Sequence, residues 1–335
     1  MNRTPSQRRP NGLLAALAVV LAASAAPATV SAQAPARYAQ KPVRLIVPFA
    51  PAGAIDNMAR PVAEALGREL GQTVIVENRA GAAGNIGAGA VAKAAPDGYT
   101  LVVGTSATHG ANPALFAKMP YDPVADFEPI SLWGQVPNVL VVNAEKGARS
   151  LPELVEQAKR QPRGLTYASA GTGTSLHLAG VLFEKAAGVE MLHVPYKGGA
   201  PASMDLLGGN VAMMFDTVSV ALPNIRAGKL RALAVAAPER HFALPDVPTF
   251  AELGYKGVEA ATWAGVFAPK GTPAPILEEL RAAHAKALAD KQVQDALRGH
   301  GVQLTPWQGE QFRNFIASEI RRWAQVVRDA RITPE

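Results

Sequence analysis

Short apolar runs rich in β-formers alternate with helical patterns along this chain, and that alternation most constrains its fold. The runs VRLIVPF (43–49), TVIVEN (73–78) and TLVVGTS (100–106) are each followed by a stretch typical of a helix or of its start. Strands that alternate with helices indicate an α/β protein with mainly parallel sheets. We therefore expect an α/β fold.

The same alternation continues to the C-terminus. Ser150 and Glu153 have capping-box spacing, and Pro152 suits the first turn of a helix predicted over Leu151–Arg160. Further strands are predicted over 138–145, 165–170, 191–196, 211–217, 230–237 and 258–269. An apolar stripe at helical spacing predicts a packed C-terminal helix; it comprises Phe312, Phe315, Ile316, Ile320, Trp323, Val326 and Val327.

The N-terminus has the three parts of a secretory signal peptide. A basic, acid-free start is followed by the apolar run LLAALAVVLAA (13–23), which is short for a membrane span, and then by small residues. We predict a signal peptide over 1–32 with cleavage after Ala32, and so a periplasmic protein. No later run is apolar enough to span a bilayer, so the mature chain is expected to be soluble.

Composition excludes several classes of function. The chain has 335 residues, no Cys and a net charge of +6, half of it before residue 33. Thiol catalysis and thiolate metal sites are therefore excluded, and no basic cluster with interleaved aromatic residues suggests nucleic-acid binding. Walker A, dinucleotide, G-x-S-x-G and H-E-x-x-H motifs are missing. We expect no cofactor, no metal and no enzyme activity.

Three junctions between a strand and a helix are rich in glycine and hydroxyl groups. They are PFAPAGAIDNMAR (48–60), GTSATHGAN (104–112) and SAGTGTSLHL (169–178). In open α/β sheets, ligands bind beyond the carboxyl ends of the strands, where helix N-termini favour anions. Each junction alone is equally consistent with a tight turn. Together they predict a cleft that binds a carboxylate or a phosphate.

Long segments around these junctions resemble one family, the Bug-type periplasmic receptors of tripartite tricarboxylate transporters. The similarity is carried by KPVRLIVPFAPAGAIDNMARPVAEALGRELGQTVIVENRAGAAGNIGAGAVAKAAPDGYTL, YASAGTGTSLHLAGVLF, HVPYKGGAPA and FDTVSVALPNIRAGKLRALAV. It extends from about residue 41 to the C-terminus. The family usually has Pro-Gly-Gly where this chain has Pro51-Ala52-Gly53.

The resemblance implies a type II periplasmic-binding-protein fold, in which two α/β lobes joined by two crossing strands close on a ligand. Lobe 1 would comprise residues 33–140 and 265–335, and lobe 2 residues 141–264. The implied function is capture of a small carboxylate, such as a di- or tricarboxylate, an amino acid or an aromatic acid. The implied partner is an integral-membrane permease, and a monomer is expected.

The resemblance also implies contact positions, several with a structural alternative. Thr172, Gly173 and Thr174 are expected to hold a ligand carboxylate. Asp56 either contacts ligand or binds backbone N–H groups, His177 and Trp263 either line the cleft or pack, and Asp216 is either structural or selects a cationic group. The implied ligand-binding residues are Phe49, Ala50, Ala52, Gly53, Asp56, Ser106, His109, Ser169, Gly171, Thr172, Gly173, Thr174, His177, Tyr196 and Asp216.

Two other functions are compatible with this sequence. A ligand sensor would present the bound carboxylate to a membrane signalling protein instead of a permease. A secreted hydrolase would use Ser, His and Asp residues that are dispersed in the sequence and meet only in space.

Overall fold

In a computed structural model of the chain, residues 1, 2, 4, 38–330 and 332 are described. Most of the predicted signal peptide, including its cleavage site, lies outside these residues. The strands are β1 Val43–Val47, β2 Val74–Asn78, β3 Thr100–Thr105, β4 Phe127–Asn143, β5 Thr166–Ser169, β6 Leu192–Pro195, β7 Met213–Thr217, β8 Leu230–Ala236, β9 Ala261–Pro269 and β10 Gln303–Leu304.

Helices connect most of these strands, as the alternating pattern predicted. They are α1 Ala54–Leu70, α2 Asn85–Ala92, α3 Asn112–Leu115, α4 Leu151–Arg160, α5 Ser175–Ala187, α6 Gly199–Gly208, α7 Val218–Arg226, α8 Ala274–Ala289, α9 Lys291–Gly299 and α10 Gly309–Asp329. A 3₁₀ turn (Ala82–Gly84) precedes α2, and a π-helical turn (Ala107–Ala111) precedes α3. None of the helices in the described part of the chain is long and apolar enough to cross a bilayer.

The strands form one mixed, curled sheet in the order β2-β1-β3-β9-β4-β7-β5-β6, with β8 and β10 both paired to β4. Strands β1, β2 and β3 are parallel, and so are β5, β6 and β7. Each parallel set arises because a helix returns the chain to the same end of the sheet before the next strand begins. We call these sets the first and second parallel sets.

Strands β4 and β9 join the two parallel sets. Phe127–Pro137 of β4 pairs antiparallel with β9, and Asn138–Asn143 pairs with β7 and β8. The predicted strand start at residue 138 missed about two thirds of this element, since β4 begins at Phe127. Its first part contains Pro129, Gly134 and Pro137, residues that weaken a strand signal, and its pairing shifts register there.

The capping pattern before α4 is confirmed with one change. Ser150 Oγ accepts a hydrogen bond from the Glu153 N–H at 3.3 Å, but the Glu153 carboxylate accepts from Arg149 N–H at 2.7 Å and not from Ser150.

At the C-terminus, the apolar stripe of α10 packs as predicted, with Phe312, Ile316 and Trp323 buried. Residues Tyr38–Glu335 form one compact unit, and the division into lobes stays a prediction.

Candidate functional site

A cavity lies where the two parallel sets meet. It lies beyond the carboxyl ends of β1, β3, β5 and β7, the position where open α/β sheets bind ligands. Its lining residues are Phe49, Ala50, Pro51, Gly53, Ala54, Ile55, Thr105, Ser106, Ala107, Ala170, Thr174, Ser175, Leu176, Gly198, Gly199, Ala200, Asp216, Thr217, Val220 and Thr262.

Four helices begin at this cavity. The residues that precede their first turns are Gly53 for α1, Thr174 for α5, Gly198 for α6 and Thr217 for α7, and all four line the cavity. The first N–H groups of a helix have no acceptor inside the helix and carry partial positive charge. Because no Lys, Arg or His is among the described lining residues, these helix ends are the main attraction for an anion.

The loop Ser169–Thr174 is held by its own hydrogen bonds. Gly173 N–H donates to His177 Nδ1 at 3.2 Å, and Thr174 N–H donates to the Gly171 carbonyl at 3.2 Å. Thr174 Oγ1 donates to the same carbonyl at 2.7 Å and accepts from His177 N–H, which makes Thr174 the N-cap of α5. These two N–H groups are therefore engaged within the protein, and the next two residues, Ser175 and Leu176, line the cavity.

Three stacked rings pack beside this loop. His177 stacks on His193 with ring centroids 4.1 Å apart, and His193 stacks on Tyr167 at 4.9 Å. His193 Nε2 lies 2.7 Å from Ser169 Oγ, so the second histidine holds the other end of the loop. Burial lowers the pKa of His177 to about 3 and that of His193 to about 4. Both imidazoles are thus neutral and act as hydrogen-bonding groups.

Asp56 organises the loop that enters α1. Its carboxylate accepts from Ala52 N–H at 3.0 Å, from Asn78 Nδ2 at 2.9 Å and from two Arg60 nitrogens at 2.9 Å each. Burial acts to raise the pKa of this carboxyl, but the bonds from Arg60, Ala52 and Asn78 hold it below its usual range. Asp56 is buried behind the loop, away from the cavity lining. Its geometry matches the structural alternative.

Asp216 is the next-to-last residue of β7 and lines the cavity. Oδ1 accepts from Thr217 N–H at 2.8 Å, whereas Oδ2 is buried and has no hydrogen-bond partner among the described residues. Burial raises the pKa of this carboxyl to about 7, and the bond from Thr217 only partly opposes that shift. Asp216 is also the one acidic side chain among the described lining residues.

Three other predicted positions lie in packed surroundings. His109 is fully buried, stacks on Phe267 at 4.0 Å between ring centroids, and lies 2.9 Å from Thr108 Oγ1. Tyr196 Oη donates to Asp205 at 2.6 Å. Trp263 packs against Phe312 and Phe315, matching the packing alternative.

The predicted contact residues thus fall into two groups. Those that line the cavity are Phe49, Ala50, Gly53, Ser106, Thr174 and Asp216. Those near or behind it are Ala52, Asp56, His109, Ser169, Gly171, Thr172, Gly173, His177 and Tyr196. Lining residues that sequence reasoning missed include Thr105, Ser175, Gly199, Thr217 and Thr262. Several of them directly follow or precede a predicted position at a strand end, and Thr262 is the second residue of β9, where no sequence signal marks it.

Comparison with known proteins identifies the family. Residues 58–332 match the family model described as the tripartite tricarboxylate transporter family receptor, TctC. Protein BugT of Bordetella pertussis is 42% identical over 318 residues, which are 95% of this chain and 97% of that protein. The chain thus covers nearly all of this relative's length.

Solved structures agree in fold. The periplasmic binding protein BugD is 36% identical with a TM-score of 0.84, over 88% of this chain and 99% of that one. R. palustris Rpa4515, solved with adipate, is 37% identical with a TM-score of 0.85, over 89% and 99%. MatC from Rhodopseudomonas palustris, solved with malate, is 37% identical with a TM-score of 0.81, over 86% and 99%. The chain shares the fold of these three structures and belongs to the TctC family of tripartite tricarboxylate transporter receptors, as a Bug-type member.

Proposed function

We propose that this protein is a periplasmic receptor that binds a small carboxylate in the cavity between the two parallel sets. The observation that carries the proposal is the meeting of four helix N-termini at a cavity without a basic side chain among its described lining residues. Such helix ends stabilise a carboxylate through N–H donors and the helix dipole. Two relatives were solved with adipate and with malate, which are small dicarboxylates of the same chemical class.

The proposed mechanism is closure around the ligand. Close approaches across the cavity support it: a Cβ on Gly198 would lie 3.6 Å from the Ala50 Cβ, and one on Gly173 would lie 2.8 Å from Leu115 Cδ1. In each pair the glycine lies in a loop that follows a strand of the second parallel set, and its partner lies in a segment that follows a strand of the first. A ligand that touches both sets favours the closed arrangement over an open one. The N-terminal signal peptide would direct export of the protein to the periplasm. There, the closed form would deliver the ligand to a membrane permease. The mechanism requires no chemical change of the ligand.

A thermal-shift panel of carboxylates tests binding. A ligand at about 100 times its Kd should stabilise the protein by about 2.7 kcal/mol. We expect at least one di-, tri- or aromatic carboxylate in the panel to raise the melting temperature. If none does, the proposed function is wrong.

A pair of proline variants tests the role of the helix ends. Ala54 is the first residue of α1 and lines the cavity, whereas Ala274 is the first residue of α8, is exposed and lies elsewhere. Proline is tolerated at this position of a helix but removes the N–H. Ala54→Pro should weaken carboxylate binding about tenfold or more, the value of a hydrogen bond to a charged group. Ala274→Pro is the control and should bind normally; equal binding by both variants contradicts the proposed role.

A further inference from the structure

Asp216 is a buried carboxyl with half of its hydrogen-bonding capacity unused. The residue is 1% exposed and lines the cavity. Oδ1 accepts from Thr217 N–H, but Oδ2 has no partner among the described residues. Buried polar atoms are rarely left unpaired, so an Oδ2 of this kind at a ligand cavity points to a bond made with the ligand.

No nearby charge neutralises this carboxyl. Elements α5, α6, α7, β4 and β5 pack against β7. Their acidic, basic and phenolic groups are His177, Glu184, Lys185, Asp205, Arg226, Glu128 and Tyr167. None of them forms a hydrogen bond or an ion pair with Asp216, and the described lining contains no Lys, Arg, His or Glu. An ionised Asp216 would therefore have only one N–H donor and the helix ends around it.

The same helix N-termini determine which kind of ligand group lies next to Oδ2. Asp216 directly precedes the N-cap of α7, and a Cβ on Gly199, the first residue of α6, would lie 3.7 Å from Oδ1. Two helix N-termini at one place attract a carboxylate oxygen and repel an ammonium group. A ligand carboxylate and an ionised Asp216 would then repel each other at the point where both are drawn.

We propose that Asp216 binds the ligand as a neutral carboxylic acid and donates an Oδ2–H hydrogen bond to a ligand carboxylate oxygen. The receptor takes up one proton with each ligand that enters while Asp216 is ionised, and it favours carboxylates without an ammonium group over amino acids. This inference rests on the proposed function, because it assumes that the cavity binds a carboxylate.

Proton uptake makes affinity depend on pH. Because the pKa of Asp216 in the free protein is about 7, the fraction competent to bind falls about tenfold between about pH 6 and pH 8. Simple carboxylate ligands are largely ionised throughout this range, and burial keeps the pKa of His177 and His193 at about 3 and about 4. Those groups therefore do not contribute to the slope.

Infrared difference spectroscopy of the free protein tests the proton without a ligand. The spectrum of the wild type minus that of Asp216→Asn should contain a protonated carboxyl band at about pH 6 that disappears through about pH 7. An ionised carboxylate at about pH 6 in that difference spectrum would overturn the proposal, even if the receptor binds carboxylates.

Calorimetry with malate and aspartate tests the ligand side, since the two differ by a hydroxyl against an ammonium group. Malate should bind more tightly than aspartate to the wild type. Its affinity should fall about tenfold from about pH 6 to pH 8, with proton uptake detected from buffers of different ionisation enthalpy. Asp216→Asn keeps a donor, so its affinity should not vary with pH, and Asp216→Ala should bind at least tenfold more weakly at about pH 6.

Besides the infrared outcome, two calorimetric results would contradict the proposal, and one result would contradict only the proposed function. Tighter binding of aspartate that is lost in Asp216→Asn would make Asp216 an ammonium selector instead. If the affinity of the wild type, like that of Asp216→Asn, does not change with pH, the Asp216 carboxyl takes no part in binding. If no carboxylate in the panel binds, the proposed function fails, whereas the infrared experiment still decides whether Asp216 holds a proton.

Discussion

The backbone N–H of Gly173 donates a hydrogen bond to Nδ1 of His177, 3.2 Å away and four residues later. This bond fixes the loop before α5 in the conformation that places Ser175 and Leu176 at the cavity. It also fixes the tautomer of His177, because an Nδ1 that accepts carries no proton. Gly173 itself has φ +82°, a left-handed conformation that glycine adopts without strain.

Replacing His177 tests this relationship. His177→Phe keeps an aromatic ring but leaves the buried Gly173 N–H without an acceptor, so the free energy of unfolding should fall by about 1–3 kcal/mol. Carboxylate affinity should fall as well, since the loop is no longer held. Urea unfolding and calorimetry measure the two effects. His177→Gln, whose side chain offers an acceptor oxygen, should recover part of both losses; equal behaviour of the two variants would show that the bond is unimportant.

Glu319 joins two tryptophans that lie far apart in the sequence. Its Oε2 accepts from Trp263 Nε1 at 2.9 Å and from Trp323 Nε1 at 3.0 Å, and the residue is 7% exposed. Glu319→Leu should lower the free energy of unfolding by about 2–5 kcal/mol, because two buried donors lose their acceptor. Thermal or urea unfolding measures the loss. Glu319→Gln keeps one acceptor oxygen and should cost less; if the two variants cost the same, the indole bonds are not what stabilises this site.

Ala52 has φ +62° in the loop that Asp56 holds. A residue with a Cβ is strained in this region and glycine is not. Ala52→Gly should therefore raise the free energy of unfolding by up to about 1 kcal/mol, although the greater freedom of glycine in the unfolded chain limits the gain. Ala52→Val should lower it by more than about 1 kcal/mol. Urea unfolding gives both signs, and a stabilising valine would contradict the explanation.

Buried histidines make stability depend on pH. Burial lowers the pKa of His109 and His177 to about 3 and of His193 and His284 to about 4. Below about pH 6.5 the unfolded chain binds protons that the folded chain does not, so stability falls as pH falls from about 6.5 toward about 4. Each such histidine contributes about 1.4 kcal/mol per pH unit in this window.

Asp216 acts in the opposite direction. Its folded pKa of about 7 lies above the unfolded value, so its contribution to stability is present at low pH and is lost as pH rises toward about 7.

A histidine variant remote from the cavity separates the histidine contribution from that of Asp216. His284→Leu should reduce the loss of stability between about pH 6.5 and 5.5 by about 1 kcal/mol, measured by urea unfolding at both values. An unchanged slope would show that His284 does not titrate on unfolding.

Local features of the fold could be predicted from the sequence because local interactions determine them. Helix α4 has the predicted bounds, since Ser150 and Pro152 specify its start within a few residues. The strands of the parallel sets were found within a residue or two at most ends, because continuous apolar runs between turn residues mark them. The start of β4 was missed, since its pairing with β9 brings together segments more than 100 residues apart.

The sequence predicted the location of the candidate site in the fold but not which side chains line it. Glycine and hydroxyl junctions in an α/β pattern indicated that ligand binds at strand ends, which is a property of sequence order. Which atoms face the cavity depends on how the two parallel sets meet, and this decided that Thr174 and Asp216 line it while Asp56 and His177 lie behind it. Hydrogen bonds and burial set those roles, and both depend on residues distant in the chain.

The sequence by itself therefore determined the α/β class, the family and the order of the elements, because strand and helix periodicities and the long similar segments are local patterns. Only the tertiary structure decided the electrostatics of the cavity. Four helix ends and one buried carboxyl meet there, and the pKa of Asp216 is raised because packing removes water and leaves no basic partner. Burial is a property of the folded chain, and no spacing of residues in the sequence encodes it directly.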